Sequence, residues 1–226
     1  MDPRVSIVIP AYNNGLFLAE TLATVLGQDY GDYEVVVADH SSTDDTQEVI
    51  ARFADNPRIR VLEPTPRGGG AKANWDRVTA HARGEFVKLV CGDDLMEPSA
   101  VSEQVAAFDA NPGVVLVASK RSLVDARGQA IIAARGLAGL RGRVSGPAAV
   151  RASVRAGTNI FGEPVCVMLR RDALESVGGW SSEFPYLIDQ CSYANVMMTG
   201  DMVALDRTLA SFRISATQWS VRLVNE

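Results

Sequence analysis

The chain carries, at residues 87–95, the run Val87-Lys88-Leu89-Val90-Cys91-Gly92-Asp93-Asp94-Leu95, which is mostly apolar until it stops at two adjacent carboxylates. Such a run is typical of a buried strand. A strand that ends in acids places charge at the edge where open α/β sheets bind ligands. Because two neighbouring carboxylates repel each other, they either spread into water or share a cation. Asp93 and Asp94 are therefore a candidate metal site, and a solvated turn is the alternative.

Outward from this run, predicted strands alternate with predicted helices. The strands are expected at residues 5–9, 33–38, 58–62, 85–90, 114–118 and 165–169, and the helices at residues 18–26, 42–53, 74–82, 98–108, 172–177 and 189–198. Continuous apolar strands between amphipathic helices are typical of a mostly parallel sheet that is covered on both faces. The sequence therefore predicts an α/β, Rossmann-like fold with a mostly parallel central sheet flanked by helices.

The second half of the chain departs from this rhythm. Residues 123–132 predict a hairpin that turns at Arg127 and Gly128, which adds a small antiparallel element. Residues 136–146 are rich in glycine, arginine and small side chains without a clear period, so they are a loop or lid candidate. With 226 residues, 47% of them hydrophobic, the chain can bury a sizeable core, and we expect a single domain over residues 1–226.

Composition narrows the class of partner and the compartment. The formal net charge is -5 and no block of lysine and arginine is present, which argues against nucleic acid as a partner. The three cysteines, Cys91, Cys166 and Cys191, are odd in number and widely spaced, so neither a disulfide framework nor a zinc site is expected. No secretory signal is visible, and no apolar run approaches the roughly 18 residues of a spanning helix. We therefore expect a cytoplasmic protein.

Several other clusters have an ordinary structural explanation. Residues 42–45, Ser-Thr-Asp-Asp, fit the pattern that caps a helix, but Asp39 lies before them at a strand end and is not explained by capping. Residues 67–72 form a glycine-rich loop with a cation at each end, yet they lack the ending of a phosphate-binding loop. His40 and His81 are isolated from any nucleophile motif, so a hydrolase triad has little support.

A set of motifs then follows in one order along nearly the whole chain. They are Val5-Ser6-Ile7-Val8-Ile9-Pro10-Ala11-Tyr12-Asn13-Asn14, Val36-Val37-Ala38-Asp39-His40-Ser41-Ser42-Thr43-Asp44-Asp45-Thr46, Asn74-Trp75, Gly84-Glu85-Phe86-Val87-Lys88, Gly92-Asp93-Asp94, Gly162-Glu163-Pro164 and Gly178-Gly179-Trp180. Together they closely resemble the family 2 glycosyltransferases with the GT-A fold. The opening strand and its turn, taken together, are the specific part of this resemblance.

The resemblance implies a nucleotide-sugar site in the first half. The turn Pro10-Ala11-Tyr12 would hold the nucleobase, and Asp39 would accept a hydrogen bond from its imide nitrogen, since a carboxylate is a strong acceptor. Asp93 and Asp94 would hold Mg²⁺ or Mn²⁺ against the diphosphate. Arg67 or Lys72 would add positive charge to the diphosphate without metal. Residues 1–119 are thus expected to bind the donor, and residues 120–226 the acceptor.

The same resemblance implies the catalytic base. An acid at the start of the helix after the Gly-Gly-Trp turn points to Asp189, which would take the proton of the acceptor hydroxyl during a single inverting displacement. Glu163 and Glu183 are rival bases. Two positions depart from the family pattern. Cys91 replaces an acid that many members carry, and Ser215 replaces a histidine, so the metal would have fewer protein ligands.

We therefore predict a metal-dependent, inverting glycosyltransferase that uses a uridine or deoxythymidine diphosphate sugar. The acceptor, a carbohydrate, a lipid-linked molecule or a small molecule, should bind between residues 135–145 and 184–189. Peripheral contact with the inner face of a membrane is compatible with this function. One alternative is a nucleotide-sugar-binding protein that has lost catalysis. A sugar nucleotidyltransferase ranks last, because Tyr12-Asn13-Asn14-Gly15 does not resemble its glycine-rich loop.

Overall fold

The computed structural model describes residues 2–181 and 183–215. Its strands are β1 (Val5–Ala11), β2 (Tyr33–Asp39), β3 (Ile59–Val61), β4 (Phe86–Leu89), β5 (Leu95–Met96), β6 (Val114–Val124), β7 (Ala130–Arg135), β8 (Gly142–Val144), β9 (Val167–Arg170) and β10 (Asp201–Arg213). Its helices are α1 (Leu18–Leu26), α2 (Thr46–Phe53), α3 (Gly70–Ala80), α4 (Ala100–Ala110), α5 (Gly146–Ala156), α6 (Arg171–Ser176) and α7 (Ile188–Met197). None of the helices in these ranges is long and apolar enough to cross a membrane.

These strands form one mixed sheet. Its order is β3-β2-β1-β4-β9-β6-β10-β5, with β7 beside β6 and β8 beside β10. The strands β1, β2, β3 and β4 are parallel to one another, and β6 is parallel to β10. The antiparallel pairs involve β5, β7, β8 and β9. The predicted α/β class with a mostly parallel sheet is confirmed, and so is the antiparallel hairpin of β6 and β7.

The first half forms as its sequence pattern predicts. Every residue of β1 and β2 is buried, because apolar side chains alternate toward two helix-covered faces and neither face meets water. Helix α1 turns Leu18, Leu22 and Val25 into this core, at the three- and four-residue spacing of one helical face. The core thus keeps the strand ends of β1, β2 and β4 at one edge of the sheet.

Five elements differ from the sequence prediction. Strand β6 continues to Val124, well beyond the expected end, and β9 lies antiparallel between β4 and β6. The sequence pattern predicts no strand where β10, the longest, lies. The expected loop of residues 136–146 contains β8, which pairs with β10. Helix α3 starts at Gly70 instead of Asn74, because three consecutive glycines with positive φ let the chain turn sharply into it.

A buried asparagine fixes the carboxyl ends of the first two strands. Asn74 of α3 donates from Nδ2 to the carbonyl oxygens of Ala11 and Ala38, each at 3.2 Å. Its Oδ1 accepts a hydrogen bond of 2.6 Å from the hydroxyl of Thr65. One buried side chain thus joins the backbone of the last residues of β1 and β2 to the loop before α3. The sheet edge therefore has a defined shape, and a cleft opens there.

Candidate active site

The cleft has a volume of about 1010 Å³ and lies at the carboxyl ends of β1, β2 and β4. Five of the residues predicted for the site line it, namely Pro10, Tyr12, Arg67, Asp93 and Asp189. The remaining four predicted site residues, Ala11, Asp39, Lys72 and Asp94, do not line it. Of the rival bases, Glu163 lines the cleft and Glu183 does not. On the predicted acceptor side, Arg135, Tyr186 and Leu187 form part of the wall, but residues 136–145 do not.

One end of the cleft is aromatic. The Tyr12 side chain is 44% exposed, and its ring centroid lies 5.9 Å from that of His40. Pro10 and the glycine loop at Gly68 stand beside them on the same wall. Ala11, by contrast, is fully buried and does not reach the cleft. Its carbonyl oxygen accepts a hydrogen bond of 2.9 Å from the backbone N–H of His40. Flat rings and a proline make this end suited to a planar ligand group.

Asp39 is turned into the protein. Its side chain is buried, and its carboxylate oxygens accept hydrogen bonds from the backbone N–H and the hydroxyl of Ser42. Its Oδ2 also accepts a hydrogen bond of 2.8 Å from Gln47 Nε2. Two oxygens that already receive these donors hold the turn after β2 in place. The structure thus gives Asp39 internal partners instead of bringing it to the cleft wall.

The two cations of the glycine loop have different surroundings. Arg67 is exposed on the loop and lines the cleft. Lys72 lies on the first turns of α3 and forms an ion pair with Asp76, one turn further along the helix. A lysine paired on its own helix is partly neutralised by its neighbour. Of the two, Arg67 is therefore the cation that faces the cleft.

The adjacent acids that follow β4 also separate. Asp93 lines the cleft, whereas Asp94 is fully buried beneath it. Asp94 Oδ1 accepts the backbone N–H of Arg213 at 3.1 Å. Burial, followed by repulsion from Asp93, raises the pKa of the Asp94 carboxyl well above its usual range. Asp93 is therefore the carboxylate of this turn that lines the cleft, whereas Asp94 lies buried against the backbone of Arg213.

Arg213 holds this turn from behind. Its side chain is almost completely buried, and its Nε donates to the carbonyl oxygen of Asp93 at 2.9 Å. Its Nη2 forms an ion pair of 2.6 Å with Glu20 of α1, and the guanidinium lies over the ring of Phe17 at 4.6 Å. A planar group with five donors can satisfy several partners at once. Arg213 therefore connects the end of β10 to α1 and to the backbone of Asp93.

The protein ligands available to a cation are few. Cys91 lines the cleft, but burial and the nearby Asp94 and Asp93 raise the pKa of its thiol well above its ordinary value. Ser215 does not line the cleft. Within residues 2–181 and 183–215, no three side chains of the histidine, cysteine, aspartate and glutamate types are clustered in a way that could hold a metal. Asp93 is accordingly the side chain that could bind Mg²⁺ or Mn²⁺.

Asp189 has the environment of a general base. It lies at the start of α7, is half-buried and lines the cleft. Burial raises the pKa of its carboxyl to about 6, against the hydrogen bonds that favour the charged form. Oδ2 accepts a hydrogen bond of 2.8 Å from Asn159 Nδ2, and Oδ1 accepts the backbone N–H of Gln190 at 2.7 Å. A carboxylate with this pKa is ionised at neutral pH and still basic enough to take a proton.

The rival acids are less suited to that role. Glu163 forms a two-point contact with the buried Arg121, with distances of 2.9 Å from Nη2 to Oε1 and 2.6 Å from Nε to Oε2. The guanidinium thus occupies both oxygens of this carboxylate. Glu183 is exposed and lies outside the cleft wall. Asp189 is therefore the acid that combines access to the cleft with a raised pKa.

The sequence matches one described family over most of its length. The match to "Glycosyl transferase family 2" covers residues 6–178. This range includes the carboxyl ends of β1 and β2, the two acids after β4, and Glu163. The chain belongs to glycosyl transferase family 2. This agrees with the resemblance drawn from the motifs.

Similar proteins support the GT-A fold of this family 2 chain. Glycosyltransferase GlyG of Streptococcus pneumoniae is 34% identical over 116 residues, which are 49% of this chain and 38% of GlyG. TarS of Staphylococcus aureus, solved with UDP-GlcNAc, has a TM-score of 0.79 at 20% identity, over 98% of this chain and 61% of TarS. Mannosyltransferase PcManGT of Pyrobaculum calidifontis, solved with GDP-Man and Mn²⁺, has a TM-score of 0.71 at 21% identity, over 97% of this chain and 59% of PcManGT. The chain spans less than two thirds of each.

Three residues of this family 2 site were not predicted from the sequence. His40 was dismissed as isolated, although it follows β2 by one residue. Asn159 and Arg121 were not considered, since an asparagine in a loop and an arginine in a strand give no signal alone. The segment of residues 159–164 contains Asn159 shortly before the motif Gly162-Glu163-Pro164, and this proximity is the signal that could have drawn attention to Asn159. Its side chains act through partners that are distant in sequence, at Asp189 and Arg121.

Proposed function

We propose that this chain transfers a glycosyl group from a nucleoside diphosphate sugar to an acceptor hydroxyl with inversion. The observation that carries the proposal is a single cleft that is lined by both Asp93 and Asp189, whose carboxyl has a pKa of about 6. Paired acids with different environments are typical of sites that separate charge stabilisation from proton transfer. Membership of glycosyl transferase family 2 supports glycosyl transfer as the reaction at this pair.

The donor is a nucleotide sugar whose base lies at the aromatic end, next to Pro10 and Tyr12, and whose diphosphate lies between Arg67 and Asp93. The charge and the flat surfaces of these walls support this orientation. The structures of TarS with UDP-GlcNAc and of PcManGT with GDP-Man support nucleotide sugars as the donor class. Uridine and deoxythymidine diphosphate sugars are the donors that we propose for this chain.

The acceptor hydroxyl lies against Asp189. As the hydroxyl oxygen attacks the anomeric carbon from the face opposite the diphosphate, its proton passes to the Asp189 carboxylate. The bond from the anomeric carbon to the diphosphate oxygen breaks in the same step, which gives inversion without a covalent sugar intermediate. Asn159 keeps the carboxylate turned toward this position. Tyr186 and Leu187, on the same wall, would contact a carbohydrate, lipid-linked or small-molecule acceptor.

Divalent metal is the cofactor that we propose. Mg²⁺ is usually bound by one or two carboxylates of the protein together with phosphates of the substrate. Asp93 alone therefore provides enough protein ligands for Mg²⁺ or Mn²⁺. When bound, the cation would stabilise the negative charge that grows on the departing diphosphate. PcManGT was solved with Mn²⁺ beside its donor, which supports this proposal for a protein of the same fold.

Donor turnover tests the proposed function. The chain is incubated with UDP-, dTDP- and GDP-sugars in the presence of Mn²⁺, and free nucleoside diphosphate is measured with and without candidate sugar acceptors. We expect release from at least one donor. The Asp189→Asn variant is the matched control, because it should bind that donor with unchanged affinity and release little. Donor binding by the unchanged chain without release under any condition would instead identify a binding protein that has lost catalysis.

A further inference from the structure

One cationic side chain on the proposed acceptor side of the cleft has no partner in the described part of the chain. Of the three described arginines that line the cleft, Arg121 is paired with Glu163, and Arg67 lies on the glycine loop. The third, Arg135, is exposed at the end of β7. Within residues 2–181 and 183–215, its guanidinium forms no ion pair, hydrogen bond or ring contact.

A β-bulge brings Arg135 to this wall. Along the ladder of β6 and β7, Leu123 pairs with Ile132, and the next pair is Arg121 with Arg135. Between these two pairs β7 contains one residue more than β6, and Ala134 there has a φ of 54°. Without the extra residue, Ala134 would lie opposite Arg121, and Arg135 would point to the other face of the sheet. A left-handed conformation is costly for alanine, so the chain accepts strain to place this arginine.

The end of β7 is also connected to the loop that holds the proposed base. Residues 159–163 supply Asn159, which donates to Asp189, and Glu163, which pairs with Arg121. Arg121 Nη1 in turn donates to the carbonyl oxygen of Arg135 at 3.5 Å. Arg135 and Asp189 are therefore joined through one short loop, and both line the cleft.

The position of Arg135 is unfavourable unless a negative charge joins it. Side chains of residues that lie directly opposite in a ladder share one face, and like charges there repel each other. Glu163 offsets the charge of Arg121, whereas no acid of the described chain offsets that of Arg135. A guanidinium binds the two oxygens of a carboxylate or phosphate through parallel hydrogen bonds. A ligand with such a group would supply the partner that the protein does not.

We propose that Arg135 binds a negatively charged group of the acceptor, a carboxylate or a phosphate, while Asp189 faces the hydroxyl that reacts. This inference rests on the proposed function and specifies its acceptor class as a sugar that carries an oxyanion. The diphosphate of the donor is assigned to Arg67 and Asp93, so the charge that Arg135 meets belongs to the other substrate. Because Asp189 would repel the same charge, the oxyanion lies away from the reacting hydroxyl.

Three sugar probes and a matched pair of arginines test the proposal. The probes are methyl β-glucuronide with a carboxylate, glucose 6-phosphate with a phosphate, and methyl β-glucoside without charge. Their dissociation constants are measured by calorimetry in the presence of saturating UDP and Mg²⁺. The variants are Arg135→Ala and Arg135→Lys, which keeps the charge without the fork. Arg127→Ala is the control, because Arg127 is an exposed arginine of the same hairpin that does not line the cleft.

We expect the unchanged chain and Arg127→Ala to bind at least one charged probe about tenfold or more tightly than the uncharged probe. Arg135→Ala should bind all three within about twofold, and Arg135→Lys should keep part of the preference. The charged probe that binds more tightly identifies the oxyanion as a carboxylate or a phosphate.

Two results would overturn the role of Arg135. One is a preference for charged probes that persists in Arg135→Ala, and the other is an unchanged chain that binds no charged probe more tightly than the uncharged one. Either result would leave glycosyl transfer standing if the chain releases nucleoside diphosphate from a donor. A chain that neither binds UDP nor releases nucleoside diphosphate from any donor would instead contradict the proposed function itself.

Discussion

If Asp189 is the general base, its titration must control the rate at low pH. Its carboxyl has a pKa of about 6, raised by burial, so the active carboxylate is lost as the pH falls below 6. We expect kcat/KM for glycosyl transfer to fall about tenfold per pH unit below 6 and to be level above it. The assay is release of nucleoside diphosphate in the presence of acceptor, from pH 5 to pH 9.

The hydrogen bond from Asn159 sets the position of this acid limb. Asn159 Nδ2 donates to Asp189 Oδ2 at 2.8 Å and thereby favours the charged form. A hydrogen bond to a charged group contributes about 1.5 kcal/mol at the low end of its range, which corresponds to about one pKa unit. Asn159→Ala should therefore move the acid limb upward by about one pH unit.

Two further substitutions make the test specific. Asn159→Asp keeps an oxygen for the backbone N–H groups of Phe161 and Gly162 but places a second carboxylate beside Asp189, so its limb should lie higher still. Asn195→Ala, an equal truncation at an exposed position of the same helix as Asp189, should leave the profile unchanged. An acid limb that stays in place in both Asn159 variants would refute the assignment of Asp189.

The same pKa has a consequence for stability. Folding raises the pKa of this carboxyl from 3.8 to about 6. Between these two pH values the carboxyl ionises in the unfolded state but stays protonated in the folded state, so the free energy of unfolding falls by up to about 3 kcal/mol and remains lower above pH 6. Asp189→Asn should therefore lower the rate of glycosyl transfer by about 10²-fold or more. At pH 8 the same variant should be more stable than the unchanged chain. Urea denaturation at pH 5 and pH 8 measures this, and the stabilisation should shrink at the lower pH.

Other features of the molecule give three further predictions. Asp93→Asn should weaken Mn²⁺-dependent donor binding by about tenfold or more and leave metal-free binding nearly unchanged, as calorimetry with and without Mn²⁺ would show. Lys88 is fully buried, and burial lowers the pKa of its ammonium to about 7, so the free energy of unfolding should rise between pH 7 and pH 10 and show no such rise in Lys88→Met. Gly146→Ala would press a methyl group into the carbonyl oxygens of Met197 and Gly200 and should destabilise the chain by about 2 kcal/mol, whereas Gly31→Ala, in open space, should change urea stability little.

The sequence predicted most of the parallel half of the sheet, for a physical reason. Strands that are buried on both faces require continuous apolar runs, and such runs are visible in one dimension. Strand β10 was not predicted because its ladder with β6 shifts register at three places, between Asp201 and Met202, between Leu205 and Thr208, and between Thr208 and Ala210. These shifts break the two-residue period. The antiparallel direction of β9 depends on which strands are its neighbours in space, and no local pattern encodes that.

The site was predicted unevenly. Asp93 and Asp189 were anticipated, and both line the cleft. Asp39 and Asp94 were anticipated too, but each is buried beside a residue that lines the cleft. A motif at a strand end identifies the edge of the sheet and leaves undetermined which of two neighbouring residues reaches the cleft. Hydrogen bonds to distant or neighbouring groups fix the orientation of these two side chains. Ser42 and Gln47 hold Asp39, and the backbone N–H of Arg213 holds Asp94.

These orientations set the charge that the cleft offers to a donor. Asp39 and Asp94 are buried away from the cleft wall. Among the described residues, the charged side chains that line the cleft are Arg67, Arg121, Arg135, Asp93, Glu163 and Asp189. Their formal charges cancel, and Arg121 is already paired with Glu163. A nucleoside diphosphate sugar brings two negative charges into this neutral cleft, and they need a partner of about that charge to be favourable at low dielectric. A divalent cation beside Asp93, as we propose, would supply it. Because Cys91 stands before this turn where the family pattern has an acid, the diphosphate would then form the larger part of that cation's ligand set.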